Sequence, residues 1–140
     1  MGYGKQRNLL LNYINENNLQ KKVKIVPYQT NPYNLIKSSD IFILTSLYEG
    51  LPNVLLEAQV LKKFIISSNC PTGPREILLN GKAGYLFKVK DYQILSKLIL
   101  KILRNKKIMY KKIEIGYKNL DRFNYELNLN KYYKTILQHL

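Results

Sequence analysis

The sequence predicts an α/β protein built on a doubly wound parallel sheet. Short apolar runs rich in branched and aromatic residues alternate with longer segments whose apolar residues recur at helical spacing. Chains with this alternation place their strands in parallel and their helices on both faces of the sheet. Ligand sites in such sheets lie at the carboxyl ends of the strands. We therefore expect the functional site in the loops that follow the strands.

Four short apolar segments are predicted as strands. The run Ile41-Phe42-Ile43-Leu44 ends in polar residues and is predicted as a central strand that is covered on both faces. The other three cover residues 23–26, 64–67 and 84–87.

Capping residues and apolar stripes predict helices between and after these strands. Pro52 begins the helix that follows the first buried strand, and this helix runs to about Leu61. Asp91 is predicted as the N-cap of a long helix with Leu95, Leu98, Ile99, Ile102 and Leu103 on one face. The remaining helices cover residues 5–18, a short segment from Asn31 to Ile36, one or two turns from Arg75, residues 107–120, and a last segment from about Tyr125. The stripes, including Leu9, Leu10, Tyr13 and Ile14 in the first helix and Leu129, Tyr132, Tyr133, Ile136 and Leu137 in the last, are predicted to pack in the core.

Length and composition limit the class of protein. With 140 residues, of which 46% are hydrophobic, the chain is predicted to form a single domain over residues 1–140. We expect a cytoplasmic protein, because there is no apolar run long enough to span a bilayer and no signal-peptide pattern. Cys70 is the only cysteine and there is one histidine, which excludes an internal disulfide and a zinc site made by these residues alone. The chemistry must come from carboxylates, backbone amides and cations.

The chain is strongly basic, with a formal net charge of +14. Seven Lys or Arg residues lie between positions 97 and 112, and no acid occurs between Asp91 and Glu114. Solvated helix faces explain such a run, and so does a surface that binds nucleic acid or an anionic membrane.

The loop after Leu44 and the start of the next helix form the predicted functional site. Pro52 lacks an amide hydrogen and suits a first helical position, so that the amides around Leu51 to Val54 are left without intrahelical partners. Unpaired amides at a helix start bind anions. This segment is therefore a predicted anion site.

Two carboxylates flank this helix start. Glu49 lies just before the helix and Glu57 about one turn inside it, so they are roughly 8 to 12 Å apart along the axis. Because an acid repels a phosphate, these groups are better placed to accept hydrogen bonds from hydroxyls on either side of a bound diphosphate, as a sugar and a ribose would supply. The helix macrodipole alone also favours an acid in the first turns, which leaves a purely structural explanation open for Glu57.

At these residues the sequence resembles the retaining GT-B glycosyltransferases of family 4. Glu49 and Glu57 stand in Glu-Gly-Leu-Pro-Asn-Val-Leu-Leu-Glu-Ala, which is similar to the paired-glutamate motif of that family. The resemblance extends from Gly2 to about Leu137, and it also rests on the segments at residues 38–46, 73–77, 81–87 and 122–125.

The resemblance implies a reaction and roles for individual residues. It implies transfer of a hexosyl group from a UDP-, GDP- or similar nucleotide sugar with retention of configuration, without a cofactor or a metal. Glu49 and Glu57 would be the catalytic pair, the first on the donor sugar and the second on the ribose. The remaining donor-binding residues would be Gly50, Leu51, Pro52, Asn53 and Val54 at the diphosphate, Pro27 and Tyr28 beside the base, and Arg75 near the phosphates. An ordinary turn remains an alternative for residues 27–29. For Arg75, the alternatives are an ion pair with Glu76 and a capping role.

The resemblance also implies parts that this sequence does not contain. Family members have an N-terminal acceptor-binding domain, and their C-terminal domain begins with strands and a loop that supply an Arg and a Lys to the diphosphate. Gly2 and Gly4 correspond to a turn within that domain. We therefore expect the donor-binding portion of an enzyme of cell-surface glycan or lipid-linked saccharide synthesis, with the acceptor bound by a missing domain or a separate chain. The alternatives are a non-catalytic basic module, which binds nucleic acid or membrane, and an inactive remnant. For the enzyme, no nucleic acid is expected, and a peripheral contact with the inner face of the plasma membrane remains open.

Overall fold

The computed structural model describes residues 4–139 of the chain. The predicted turn that begins at Gly2 therefore lies partly outside the described residues. Contacts divide the chain into two units, Met1–Asn34 and Leu35–Leu140, which are described separately below.

The first unit is organised around helix α1 (Arg7–Glu16). Of the predicted stripe, Ile14 is buried, whereas Leu9, Leu10 and Tyr13 are exposed. The predicted strand at residues 23–26 is wrong, because this segment has no regular secondary structure. A strand requires a neighbouring strand that supplies ladder hydrogen bonds, and none of the described strands pairs with residues 23–26.

A three-stranded parallel sheet forms the centre of the second unit. The strands β1 (Ile41–Leu44), β2 (Phe64–Ser68) and β3 (Tyr85–Phe87) lie in the order β1-β2-β3. The central strand is therefore β2, in which every residue is buried, and the prediction of β1 as a central, fully covered strand is wrong. Within the described sheet β1 is an edge strand, and its Ile43 is 37% exposed.

Helices cover both faces of this sheet. On one face, Ile65 packs with Leu55 of α3 (Asn53–Val60) and Ile77 of α4 (Pro74–Ile77). On the other, Phe64 and Ile66 pack with residues of α5 (Tyr92–Leu103) and α6 (Lys106–Lys118). Successive side chains of a strand point to opposite faces, which is why β2 is apolar at consecutive positions. The doubly wound α/β fold is confirmed.

The capping residues define the ends of several helices. The Asp91 carboxylate accepts a hydrogen bond from the Ile94 amide at 2.9 Å, which confirms the predicted N-cap of α5. Asn31 accepts from the amide of Tyr33, where α2 (Tyr33–Ser38) begins. A 3₁₀ helix (Leu120–Phe123) leads into α7 (Tyr125–Leu137). Among the described residues, no helix combines the length and the hydropathy needed to cross a bilayer.

The predicted core packing of the last helix is wrong. Helix α7 begins at the predicted residue but buries none of its side chains, and Leu129, Tyr132, Tyr133, Ile136 and Leu137 are all exposed. The stripe is present, but among the described residues α7 packs mainly on the short 3₁₀ helix before it. Leu103 of α5 is likewise exposed, although the rest of its stripe faces the sheet.

Candidate functional site

The candidate site lies in the second unit, where two loops follow adjacent strands. One loop, residues 45–52, joins β1 to α3, and the other, residues 69–73, joins β2 to α4. Because β1 and β2 are parallel, with Leu44 opposite Ser67, both loops leave the same edge of the sheet. This is the edge at which ligand sites of doubly wound sheets occur.

The start of α3 offers free backbone donors. The helix begins at Asn53, and Pro52 is its N-cap residue with an extended backbone, one position before the first helical position predicted for it. The Leu55 amide donates to the Pro52 carbonyl at 2.9 Å. Among the described residues, the amides of Leu51, Asn53 and Val54 have no protein acceptor, and no side chain caps the helix. This arrangement can accept an anion.

Both predicted carboxylates are present beside this helix start and have no protein partner within residues 4–139. Glu49 lies in the loop and Glu57 in α3, about 6 Å along the helix axis from Asn53 at 1.5 Å per residue. Both are half-buried, and neither forms an ion pair among the described residues. An ionised carboxylate accepts hydrogen bonds only, so both groups are free to accept from hydroxyls.

Two hydroxyl groups, one at the end of β2 and one in the loop after it, hold the loop that carries Glu49. The Ser68 hydroxyl donates to the Ser46 carbonyl at 2.6 Å. The Thr72 hydroxyl donates to the Glu49 carbonyl. Sequence reasoning missed both residues, although hydroxyl side chains at the end of a buried strand and in the loop after it are a signal that could have found them. Together, the two bonds fix the backbone on both sides of the exposed residues Leu47 and Tyr48.

Gly73 forms a close backbone contact between the two loops. Its φ of +81° is a conformation that favours glycine. A Cβ atom added to Gly73 would lie 2.1 Å from the Gly50 carbonyl oxygen and 2.5 Å from Cδ of Pro52. A side chain at position 73 is therefore incompatible with the observed position of Gly50 and Pro52.

Arg75 is positioned by the loop after β2. Its Nε donates to Oδ1 of Asn69 at 3.2 Å, and its side chain is exposed. The ion pair with Glu76 that the sequence left open is not formed in the described structure. Its role at the phosphates stays a prediction.

Pro27 and Tyr28 belong to the first unit. Both are exposed, and the Gln29 side chain donates to their carbonyl oxygens at 3.4 and 3.2 Å. This local pairing is typical of an ordinary turn. Contact with a nucleotide base stays a prediction for these residues.

One lysine has a perturbed pKa. Burial lowers the pKa of Lys112, and the nearby charge of Lys101 lowers it further. Lys112 donates to the carbonyl of Gly81, and its Nζ lies 5.0 Å from the centre of the Tyr85 ring. Within the described part of the chain, no three His, Cys, Asp or Glu side chains come together as ligands for a metal.

Comparison with a solved structure supports the fold. HepE of Anabaena, solved in complex with UDP, shares 18% identity and a TM-score of 0.83 with this chain; the match covers 99% of this chain and 40% of that one. The parallel sheet with helices on both faces is the C-terminal half of the GT-B glycosyltransferase fold.

The chain belongs to the glycosyl transferases group 1 family, whose pattern matches residues 1–119. It is 42% identical over 102 residues to an uncharacterized glycosyltransferase of Methanocaldococcus jannaschii, a match that covers 69% of this chain and 25% of that protein. It is 31% identical over 98 residues to the UDP-Gal:alpha-D-GlcNAc-diphosphoundecaprenol alpha-1,3-galactosyltransferase of Escherichia coli, covering 70% of this chain and 25% of that protein. The resemblance inferred from the glutamate motif is confirmed. The chain spans about a quarter of the length of these two relatives.

Proposed function

We propose that this chain is the donor-binding part of a glycosyltransferase that moves a hexosyl group from a nucleotide-diphosphate sugar with retention of configuration. The observation that carries the proposal is the start of α3, where the amides of Asn53 and Val54 have no acceptor among the described residues and lie between two carboxylates, Glu49 and Glu57, that have no partner there. A diphosphate with a sugar on one side and a ribose on the other supplies the anion and the hydroxyl donors that these groups lack.

In the proposed complex the diphosphate lies at the amides of Asn53 and Val54. When the bond between the anomeric carbon and the phosphate oxygen breaks, its electron pair stays on the diphosphate, whose charge grows. Amides that already point at this charge stabilise the transition state without reorganisation. Arg75, whose Nε donates to Oδ1 of Asn69 in the loop that leaves the same sheet edge, adds a positive charge to the diphosphate. Glu49 holds hydroxyls of the sugar, and Glu57 holds hydroxyls of the ribose.

The proposal extends to the donor, the acceptor and the place of action. The complex of Anabaena HepE with UDP and the UDP-Gal donor in the name of the Escherichia coli relative support a nucleotide-sugar donor. The diphosphoundecaprenol in that same name supports a lipid-linked acceptor. The proposal places the reaction, on such a lipid or on a growing cell-surface glycan, at the cytoplasmic face of the membrane. The acceptor is held by a further domain or a separate chain. The scheme uses neither a cofactor nor a metal, so chelators should leave donor binding unchanged.

Titration with nucleotides, followed by ¹H–¹⁵N NMR, tests donor binding. We expect UDP-glucose to shift the amide signals of Asn53 and Val54, with a dissociation constant near millimolar, equivalent to about 4 kcal/mol, because few cations surround the phosphates. GDP-mannose and UDP are titrated in parallel. If the chain is saturated with UDP-glucose and the signals of these two amides do not shift, the proposal is contradicted.

Substitution of the two glutamates separates their roles. Glu57→Gln should weaken UDP and UDP-glucose alike, by about 5-fold, because a hydrogen bond to a charged acceptor becomes one to a neutral acceptor. Glu49→Gln should weaken UDP-glucose by a similar factor and leave UDP unchanged. Glu126→Gln on α7 is the matched control, since it removes the same charge from an exposed position outside the site. If only net charge mattered, all three variants would bind both nucleotides slightly and equally more tightly, because each removes one negative charge.

Retention is tested by the product of donor hydrolysis, in which water replaces the acceptor. A retaining reaction releases the α anomer of glucose from UDP-glucose before mutarotation, as read from the anomeric ¹H signal. Initial release of the β anomer would overturn this part of the proposal.

A further inference from the structure

The surface where α5 ends and α6 begins combines positive charge with exposed apolar side chains. We call it the basic corner and define it by Lys97, Leu100, Lys101, Leu103 and Arg104 of α5 and its C-cap, with Lys106 and Lys107 at the start of α6. All of these side chains are exposed. None of its cations forms an ion pair with a carboxylate among the described residues.

One helix face presents most of this surface. Lys97, Leu100, Lys101 and Arg104 are spaced by three and four residues and therefore lie on the same side of α5. With Asn105, they line an open depression of about 490 Å³. The opposite face of α5 carries Ile102, which is fully buried against the sheet. Packing on the sheet thus fixes this cationic face toward the outside.

The positive charge continues from the depression toward α6. The Nζ atoms of Lys101 and Lys112 lie 5.7 and 5.0 Å from the centre of the same Tyr85 ring. Burial lowers the pKa of Lys112, and the nearby charge of Lys101 lowers it further, in line with the closeness of these two cations to one ring. No acid interrupts the chain between Asp91 and Glu114.

We propose that the basic corner binds the surface of an anionic lipid bilayer, with lipid phosphates at Lys97, Lys101 and Arg104 and with Leu100 and Leu103 in the apolar boundary beneath them. This inference locates the membrane contact of the proposed function and rests on it for the choice of membrane. Its test measures lipid binding and not donor binding, so either proposal can fail alone.

The exposed leucines favour a bilayer over a nucleic acid. Leu100 and Leu103 are 54% and 55% exposed, and they lie beside the cations on the same helix. Interfacial helices pair apolar side chains with Lys and Arg in this way, because the apolar side chains enter the acyl boundary while the cations bind the anionic headgroups. Nucleic acids are bound mainly by cations together with aromatic or hydrogen-bonding side chains, and the residues that define the basic corner include no aromatic side chain for base stacking.

Co-sedimentation of the full chain with vesicles measures this binding at physiological ionic strength. We expect binding to vesicles that contain phosphatidylglycerol and little binding to pure phosphatidylcholine. Each cation near an anionic surface strengthens binding about 5-fold, so the triple variant Lys97→Gln/Lys101→Gln/Arg104→Gln should lose roughly 100-fold in partition coefficient. The control variant Lys21→Gln/Lys22→Gln/Lys24→Gln removes the same charge from exposed positions that are not part of the basic corner and should stay within about 3-fold, because salt screens exposed charges that do not contact the lipid.

A fluorescent reporter tests the insertion without removing any charge. The chain contains no tryptophan, so Leu100→Trp introduces a single emitter at the basic corner, and Leu9→Trp places one at another exposed position. We expect brominated lipids in anionic vesicles to quench Trp emission from position 100 strongly and from position 9 weakly.

Several outcomes would overturn the proposal. Absence of binding to anionic vesicles, equal losses in the two triple variants, or equal quenching at positions 100 and 9 would each do so. Tighter binding to duplex DNA than to the vesicles, lost in the α5 triple variant, would assign the surface to nucleic acid instead. If the triple variant fails to fold, the two tryptophan variants still test whether the basic corner enters the bilayer.

Discussion

Replacement of Gly73 by alanine tests the contact between the two loops of the candidate site. The backbone at this residue has φ +81°, which costs a residue with a side chain about 1–3 kcal/mol. The added methyl group would also lie 2.1 Å from the Gly50 carbonyl oxygen, and overpacking of this kind costs about 1–3 kcal/mol more. The two contributions together predict a loss of about 2–6 kcal/mol in the free energy of unfolding.

Gly81→Ala is the matched control for this substitution. Gly81 has a similar φ of +87°, but an added Cβ would have no atom within 4 Å. Gly81→Ala should therefore lower the free energy of unfolding only by the conformational cost of about 1–3 kcal/mol. For a chain of this length, 1 kcal/mol corresponds to about 3 to 4 °C in Tm, so the additional clash of about 1–3 kcal/mol should make Gly73→Ala melt roughly 3 to 12 °C below Gly81→Ala.

Thermal unfolding followed by circular dichroism, together with the UDP-glucose titration, measures both consequences. Gly73→Ala should also weaken donor binding, because Gly50 and Pro52 must move to make room for the methyl group, whereas Gly81→Ala should bind as the unchanged chain does. Equal melting temperatures for the two variants would refute the proposed clash. Unchanged donor binding by a folded Gly73→Ala variant would show that the loop contact does not position the site.

Two further predictions follow from individual side-chain contacts. Thr72→Val removes the hydroxyl that donates to the Glu49 carbonyl and should cost about 0.5–1.5 kcal/mol in stability and weaken UDP-glucose binding; Thr135→Val, which removes a similar hydroxyl bond within α7, should leave binding unchanged. Identical titrations for both threonine variants would contradict a role of Thr72 in holding Glu49. The lowered pKa of Lys112 means that the folded state binds this proton less tightly than the unfolded chain does. Below the lowered pKa, the protonated side chain therefore reduces the free energy of unfolding. This loss disappears as the pH rises through the lowered pKa toward 10.5. The stability of the unchanged chain relative to Lys112→Met should therefore rise across this pH range. In a ¹³C NMR titration of the Lys112 Cε, Lys101→Gln should raise the pKa of Lys112. If Lys112 of the unchanged chain titrated at the ordinary lysine value, that would argue against its burial.

Local sequence patterns predicted much of the second unit. Asp91 caps α5 as expected, because an N-cap depends on a side chain and an amide three residues apart. The helix start after Glu49 was predicted to within one residue, since proline restricts both its own backbone and that of its neighbour. The alternation of strands and helices was sufficient for the parallel sheet.

Patterns of apolar residues were less reliable when they had to predict burial. The stripe of α7 has the expected spacing, but periodicity shows only that a helix has an apolar face and not which element covers it. The same reason explains β1, whose apolar run suited a central strand although β2 occupies that place. For residues 23–26, a strand-like composition was insufficient without a pairing partner.

The sequence by itself determined the family, the doubly wound fold and the two glutamates on either side of a helix start, because each of these depends on residues that are close together in the chain. Only the tertiary structure decided that the loops after β1 and β2 hold each other, with Ser68 bonded to Ser46 across 22 positions and Gly73 against Gly50. Those contacts depend on which strands are neighbours, and strand order follows from packing of the whole sheet rather than from any local pattern.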